Sequence, residues 1–223
     1  MSDRKEKLFA NHKWAFAWLP QTQYIVDIGC SNRPLIKLLR SKSENVIGVA
    51  TDIDTLKTLD NQNPNTNLIQ AKAENLPLQS NFADAVLLLD VLDHTQDDKM
   101  VISEAWRILK PGGLLILSVP YKGLFRLLSP EILSPKIKSK TYYPYHKHYS
   151  FTDLRRLLFR LFKIEHKHYG GLFLFPITFR LKHFCLKHFK LDFSNFLNKV
   201  ADIDYDISWG RMSYSLIIKA RKI

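Results

Sequence analysis

The sequence predicts an α/β fold in which helices cover both faces of a mostly parallel sheet of seven strands. Three observations support this class. Between residues 24 and 119, five short apolar runs bounded by Gly, Asp, Asn or Pro alternate with helical patterns. Two more strand-like runs follow a helix signal in the last third of the chain. Hydrophobic residues make up 46% of the 223 positions, which is enough to bury a sizeable core.

The first half of the chain alternates regularly between strands and helices. An amphipathic helix over residues 4–19 comes first and ends at Pro20. The predicted strands are Tyr24–Ile28, Val46–Val49, Asn67–Gln70, Ala85–Leu89 and Leu114–Val119. The predicted helices between them are Leu35–Ser41, Thr55–Asn61 and Met100–Leu109, and residues 110–113, Lys-Pro-Gly-Gly, are expected to form a helix stop and a turn. Parallel strands joined by right-handed helical crossovers make a Rossmann-like sheet.

The second half departs from this alternation. Residues 150–153, Ser-Phe-Thr-Asp, match a capping box and predict a helix that continues to Leu161. Phe162–His168 and Met212–Ala220 are predicted as two further strands of the same sheet. Residues 121–149 and 172–200 remain, and neither is long enough to enclose a core of its own. We therefore expect one domain over residues 1–223, with a core at 21–120 and two lid or substrate insertions, including a basic amphipathic helical lid.

The net positive charge of the chain comes from the residues after Pro120. Residues 1–120 carry 13 basic and 14 acidic side chains, whereas residues 121–223 carry 20 basic and 7 acidic ones. This asymmetry indicates an anionic partner, which is a membrane surface, a nucleic acid or a phosphorylated substrate. Residues 179–200 place apolar side chains on one helical stripe and most basic ones elsewhere, a pattern typical of a membrane interface. The same pattern also fits a lid packed over the sheet edge.

Several classes of protein are not expected from this sequence. No apolar run approaches the roughly 20 residues of a transmembrane helix. The charged residues 1–7 are not followed by a signal-peptide core, so a cytoplasmic location is expected, at the membrane periphery if the 179–200 stripe meets lipid. The two cysteines, Cys30 and Cys185, form neither a CxxC pair nor a Cys/His cluster, so no metal site is predicted.

The first predicted strand ends in a candidate ligand-binding turn. Asp27-Ile28-Gly29-Cys30-Ser31 leads from the strand toward a helix, at the edge where open parallel sheets bind ligands. A glycine in this place lets the backbone approach a ligand without an intervening Cβ. By itself such a turn is typical of any doubly wound protein. The order of the other motifs is therefore needed to identify the kind of ligand and the protein family.

Those motifs give the chain a resemblance to a known family. From Asp27 to Pro120 it resembles the class I S-adenosylmethionine-dependent methyltransferases, specifically the type-11 group. The segments that carry the resemblance are Val26–Cys30, Gly48–Asp52, Ala73–Leu78, Phe82–Val86, Asp90–His94 and Glu104–Gly113. The resemblance implies S-adenosyl-L-methionine as the cofactor. Because a lid that touches a membrane would admit a lipid-linked acceptor, we expect a small or lipid-linked acceptor, methylated at oxygen or carbon.

The resemblance also implies roles for particular residues. The cofactor contacts are expected from Asp27, Gly29, Ser31, Asp52, Ala73, Glu74, Asp90 and Val91. His94, just past the fourth strand, is the candidate general base. Its alternative is a helix-entry histidine hydrogen-bonded to the backbone. His146, His148 and Tyr149 are second candidates, more simply explained as a solvated basic loop.

Three positions depart from the family pattern and keep other functions open. Ser31 stands where a second glycine is expected, Ala50 where an acidic residue holds the ribose, and Lys72 where one holds the adenine. A binding module that has lost turnover is therefore one alternative. An RNA-directed enzyme or RNA-binding protein using the basic half is another, although the loop after the fourth strand lacks the Pro-Pro motif of base amino-methylases.

Overall fold

The computed structural model describes residues 11–30, 35–62, 66–123, 147–171, 203–204 and 206–223. Ser31, the start of the predicted N-terminal helix, the 172–200 insertion with its basic stripe, and most of the 121–149 insertion lie outside these residues.

Seven strands form one sheet, as the sequence predicts. They are β1 (Tyr24–Ile28), β2 (Asn45–Ala50), β3 (Asn67–Gln70), β4 (Ala83–Leu89), β5 (Leu109–Pro120), β6 (Phe162–Gly170) and β7 (Ser215–Lys222). The spatial order is β3-β2-β1-β4-β5-β7-β6. The pairs among β1 to β5 are parallel, whereas β7 runs antiparallel to both β5 and β6. The prediction of a mostly parallel, Rossmann-like sheet is confirmed.

Helices pack on both faces of the sheet. They are α1 (Asn11–Trp18), α2 (Leu35–Leu39), α3 (Ile53–Gln62), α4 (Asp98–Ile108) and α5 (Phe151–Leu158). The buried side chains of β4 alternate between the faces: Leu87 packs in the cluster with α1, α2 and α3, and Leu88 in the cluster with α4 and α5. Strands buried on both sides explain the continuous apolar runs in the sequence.

Two local predictions need correction. Residues 110–113 are not a turn between helix and strand, because β5 already begins at Leu109, directly after α4. Leu109 pairs with Ala83 and Leu114 with Ala85, so the four residues between them bulge out of the strand. The helix predicted to reach Leu161 ends at Leu158, where Phe159 is extended and Arg160 takes a φ of 65°. The capping box that starts this helix is confirmed.

Over the residues described, none of the helices combines the length and the apolar character needed to cross a bilayer.

Candidate functional site

The parallel topology brings those predicted site residues that the structure describes to one edge of the sheet. β1 to β5 all point their carboxyl ends toward this edge, so the turns that follow them meet there. Hydrogen bonds join neighbouring turns: the Ala71 amide donates to the Ala50 carbonyl over 3.1 Å, and the Asp90 amide to the Ser118 carbonyl over 3.1 Å. The site is therefore a continuous rim built from residues far apart in sequence.

Gly29 forms the turn after β1 and is constrained in two ways. Its φ is 77°, a left-handed conformation that side chains other than glycine adopt at a cost. A Cβ placed on it would lie 2.4 Å from Cγ2 of Val91. The sequence interpretation gave this glycine the task of leaving space for a ligand, whereas the structure fills the Cβ position with Val91. Gly29 and Val91, both predicted cofactor contacts, therefore pack directly on each other.

Asp27 and Cys30 flank this turn inside the protein. Asp27 is 5% exposed, and Cys30 is buried as well. Burial raises the pKa of the Cys30 thiol, and the charge of Asp27 raises it further. Cys30 is therefore a neutral packing residue rather than a nucleophile.

Asp52 lies two residues past the end of β2 and caps the helix that follows. Its Oδ2 accepts hydrogen bonds from the Thr55 amide (2.8 Å) and from the Thr55 hydroxyl (2.7 Å). These bonds lower the pKa of the exposed Asp52 carboxyl. Asp52 is thus ionised and held in place at the rim, while Ala50 is the last residue of β2.

The loop after β3 is held by the last motif of the family resemblance. Glu104 on α4 accepts a hydrogen bond from the Leu76 amide over 2.8 Å. Arg107 donates to the carbonyls of Leu76 (3.0 Å) and Leu78 (2.7 Å) and pairs with both oxygens of Glu104 (2.7 and 2.8 Å). These bonds lower the pKa of Glu104 and raise that of Arg107.

The two residues expected to read the adenine precede this anchored stretch. Ala73 is buried and Glu74 half-buried, in a turn that is closed by a bridge between Lys72 and Asn75. Two motifs separated by about 30 residues in the sequence therefore act as one unit.

The turn after β4 contains Asp90, Val91 and the candidate base. Asp90 has a φ of 56°, and its Oδ1 accepts hydrogen bonds from the Ser118 hydroxyl (2.8 Å) and the Asn11 amide group (3.3 Å). A single 3-10 turn over Leu92–His94 follows. Nε2 of His94 lies 3.3 Å from Oδ2 of Asp93, whose side chain is 3% exposed. The imidazole thus contacts a buried carboxylate, and the His94 amide separately bonds the Val91 carbonyl.

Tyr149 is a buried anchor for this turn, so its interpretation as part of a solvated basic loop is wrong. Its hydroxyl lies 2.9 Å from Oδ2 of Asp98 and 3.0 Å from the Leu92 carbonyl. Lys147 adds a contact of 2.6 Å to Oδ1 of Asp98. Burial and the neighbouring Asp98 both raise the pKa of Tyr149, which therefore stays protonated as a donor. Asp98, the first residue of α4, thus also accepts the hydrogen bonds of Tyr149 and Lys147.

Comparison with known proteins agrees with this architecture. The family model described as a methyltransferase domain matches residues 26–117, which include most of β1, all of β2 to β4 and most of β5. Residues 26–117 are therefore similar to the methyltransferase domain family, whose members named below use S-adenosylmethionine.

Curated relatives match about the same share of the chain. A probable S-adenosylmethionine-dependent methyltransferase of Mycolicibacterium smegmatis is 27% identical over 101 residues, 45% of this chain and 39% of that protein. A ubiquinone biosynthesis O-methyltransferase of Psychrobacter arcticus is 23% identical over 118 residues, 48% and 46% of the two chains. A ubiquinone/menaquinone biosynthesis C-methyltransferase of Campylobacter jejuni is 27% identical over 107 residues, 45% and 46%. Each match covers less than half of the relative's length.

Solved structures extend the likeness in fold to nearly the whole chain. An S-adenosylmethionine-dependent methyltransferase of Mesorhizobium loti superposes with a TM-score of 0.64 at 18% identity, covering 95% of this chain and 98% of that one. The [4+2]-cyclase SpnF superposes with a TM-score of 0.63 at 16% identity, covering 93% and 78%. The second name shows that this fold also carries other activities, so the reaction has to be argued from the site.

The charge of the rim suits the family's cofactor. Besides the Asp93 carboxylate beside His94, the described rim includes four acidic residues and two exposed lysines: Asp27, Asp52, Glu74, Asp90, Lys72 and Lys122. S-adenosylmethionine has a sulfonium and an ammonium group, and carboxylates are the side chains that stabilise such cations. Among the described residues, no group of three or more His, Cys, Asp or Glu side chains is arranged to hold a metal ion.

Proposed function

We propose that this protein is an S-adenosylmethionine-dependent methyltransferase that acts on a small or lipid-linked acceptor, at oxygen or carbon. The observation that carries the proposal is the single rim on which Gly29, Asp52, Glu74 and Asp90 follow the carboxyl ends of four parallel strands. The family match over residues 26–117 supports it. S-adenosylmethionine, when bound, supplies an electrophilic methyl group on sulfur.

The residues of the chain have separate tasks in this proposal. The Gly29 turn and Asp27 receive the methionine end, Asp52 the ribose, and the Ala73–Glu74 turn the adenine edge. Ala50 offers no carboxylate, so the ribose contact depends on Asp52, which the Thr55 bonds fix in position. Ser31 is assigned to the cofactor by the resemblance alone.

His94 is proposed as the base that removes a proton from the acceptor. A hydroxyl or an acidic carbon becomes a better nucleophile as its proton leaves, and the imidazole accepts that proton. Asp93, 3.3 Å from Nε2, orients the ring. The contact with a carboxylate supports this role over that of a structural histidine bonded only to the backbone.

Calorimetric titration with S-adenosylhomocysteine, the product form of the cofactor, tests the proposal. We expect saturable binding in the micromolar range to the wild-type protein and mass-spectrometric detection of an adenosyl compound retained after purification. An absence of heat at millimolar ligand would refute the proposal. It would favour the alternative that the protein is a binding module that has lost turnover. Once an acceptor is found, His94→Gln is expected to lower kcat about 100-fold with unchanged cofactor affinity.

We also propose that the protein contacts anionic membrane surfaces at its periphery. The stripe at 179–200 prompts this proposal, and exposed apolar side chains just after it support it: Ile203, Ile207, Trp209 and Met212 are 37–61% exposed. Co-sedimentation with phosphatidylglycerol vesicles, phosphatidylcholine vesicles and a single-stranded RNA tests the partner. We expect binding to the anionic vesicles alone, reduced by Trp209→Ser. Binding to RNA alone would instead support the RNA-directed alternative.

A further inference from the structure

A polar network under the turn after β4 joins elements that are distant in sequence. We call the four residues Asn11, Asp90, Ser118 and Ser215 the Asp90 network. Ser118 Oγ donates to Asp90 Oδ1 over 2.8 Å, and Asn11 Nδ2 donates to the same oxygen over 3.3 Å. Ser215 Oγ donates to Asn11 Oδ1 over 3.0 Å. Asn11, Ser118 and Ser215 are 6%, 0% and 2% exposed, so water competes little for these bonds.

The network holds Asp90 in a conformation that is rarely populated. Its φ of 56° lies in the left-handed region, which costs a non-glycine residue free energy unless its surroundings impose it. The Asp90 amide is fixed as well, since it donates to the Ser118 carbonyl and also lies 3.1 Å from Ser118 Oγ. Both the backbone and the side chain of Asp90 are therefore tied to β5.

The conformation of Asp90 determines where the next side chain lies. Val91 follows it directly, and Cγ2 of Val91 occupies the space that a Cβ on Gly29 would need. A change in the Asp90 dihedral angles would move Val91 relative to the Gly29 turn. The network therefore connects α1 and β7 to the turn that is assigned to the cofactor.

We propose that Asn11, Ser118 and Ser215 are positioning residues that fix the Asp90–Val91 turn in its cofactor-binding shape. This inference rests on the proposed function, because it assigns the Gly29 turn to the cofactor. It differs from a direct role of the Asp90 carboxylate, since that carboxylate acts here through Val91. Asn11 and Ser215 lie outside every segment that carries the family resemblance.

Single substitutions separate the network from general stability. Asn11→Ala removes the donor to Asp90, and Ser118→Ala removes the shorter bond. The matched control is Lys13→Ala, which also lies on α1 and breaks an exposed ion pair with Asp206 without touching Asp90. Two measurements are made on each protein: amide hydrogen exchange over residues 88–95 without ligand, and calorimetric affinity for S-adenosylhomocysteine well below the melting temperature.

We expect faster exchange at Asp90 and Val91 and about tenfold weaker binding in both network variants, and near-wild-type values for Lys13→Ala. Unchanged exchange in the network variants would overturn the inference, whatever the affinity. Faster exchange with unchanged affinity would overturn the link to the cofactor. Equal effects in Lys13→Ala would mean that docking of α1 is responsible. A wild-type protein that binds no ligand would remove the proposed function, and with it that link, while the exchange result still tests the network.

A second pair of variants separates positioning from direct contact. Asp90→Ala loses the network bonds and puts a Cβ in the left-handed region, whereas Asp90→Gly loses the bonds but adopts that conformation without the steric cost. If the side chain acts by holding the backbone, we expect Asp90→Gly to bind S-adenosylhomocysteine several-fold more tightly than Asp90→Ala does. Equal loss in the two variants would show that the carboxylate itself contacts the ligand and would overturn the positioning role.

Discussion

Replacing Arg107 by Lys tests whether the loop after β3 depends on α4. The Arg107 guanidinium makes four hydrogen bonds of 2.7 to 3.0 Å, two to Glu104 and one each to the carbonyls of Leu76 and Leu78. Lysine presents a single ammonium without the planar fork, so it can replace only part of this set. We count two charge-assisted bonds as lost. Because the Arg107 side chain is 31% exposed, we assign each bond a free energy at the low end of the usual range for hydrogen bonds to charged groups. The sum is a destabilisation of about 2–3 kcal/mol.

The assay is urea and thermal unfolding of the two proteins. For a domain of this size the expected loss corresponds to a decrease in melting temperature of about 4–12 °C. The control is Arg221→Lys. Arg221 also donates two hydrogen bonds to a glutamate, Glu165, and one to a carbonyl, that of Gly112. The Arg221 side chain is 45% exposed, so its replacement is expected to cost less than about 1 kcal/mol. A loss for Arg107→Lys no larger than that of the control would refute the reasoning.

The same substitution predicts a pH dependence. Arg107 lowers the folded-state pKa of Glu104, so the pair contributes its full stability above the ordinary pKa of glutamate and loses it as the pH falls through the lowered value. The difference in unfolding free energy between wild type and Arg107→Lys should therefore shrink in acid.

The same variant is expected to bind S-adenosylhomocysteine more weakly than wild type at neutral pH, because the loop includes Ala73 and Glu74.

Three other substitutions test single residues of the site. Tyr149→Phe removes the hydroxyl that bonds Asp98 and is expected to destabilise the fold by about 1–2 kcal/mol in urea unfolding; an unchanged midpoint would contradict this. Gly29→Ala is expected to cost about 2–4 kcal/mol, and adding Val91→Ala should recover part of it, whereas strictly additive losses would show that the two residues do not clash. Asp52→Asn keeps a helix-capping side chain, so we expect an unchanged melting temperature with about tenfold weaker binding of S-adenosylhomocysteine; unchanged affinity would exclude Asp52 from the ribose contact.

Most of the fold follows from local sequence signals. The limits of β1 and β3 are predicted to the residue, because β1 is a short run that stops at Gly29 and β3 is a short run with polar residues, Asn67 and Gln70, at its two ends. The Lys-Pro-Gly-Gly stretch misleads because it resembles a helix stop, whereas Leu109 already pairs with Ala83 in the sheet. Whether such a stretch separates two elements or bulges from one depends on the neighbouring strand. The pairing of strands in the folded protein determines which of the two forms, and a local sequence pattern carries no information about that pairing.

The site is predictable only where its residues are local to a strand end. Four of the predicted residues come just after a strand in the sequence: Gly29, Asp52, Asp90 and His94. Because the strands are parallel, this order along the chain is enough to predict that they lie at one edge of the sheet. Their contacts are not predictable in this way. The clash that makes Gly29 a glycine comes from Val91, more than 60 residues later. The predicted contacts with the cofactor therefore remain predictions.

The residues that fix the rim lie mostly outside the segments expected to bind the cofactor. Arg107 holds the loop after β3, Tyr149 holds the turn before α4, and Asn11 reaches the turn after β4 from the opposite face of the sheet. None of the three is expected to touch the cofactor, and each acts on a different turn. A departure at one cofactor position, such as Ala50, removes a single contact. Loss of one of these anchors instead displaces a whole turn, so it should impair binding more than the departures from the family pattern do.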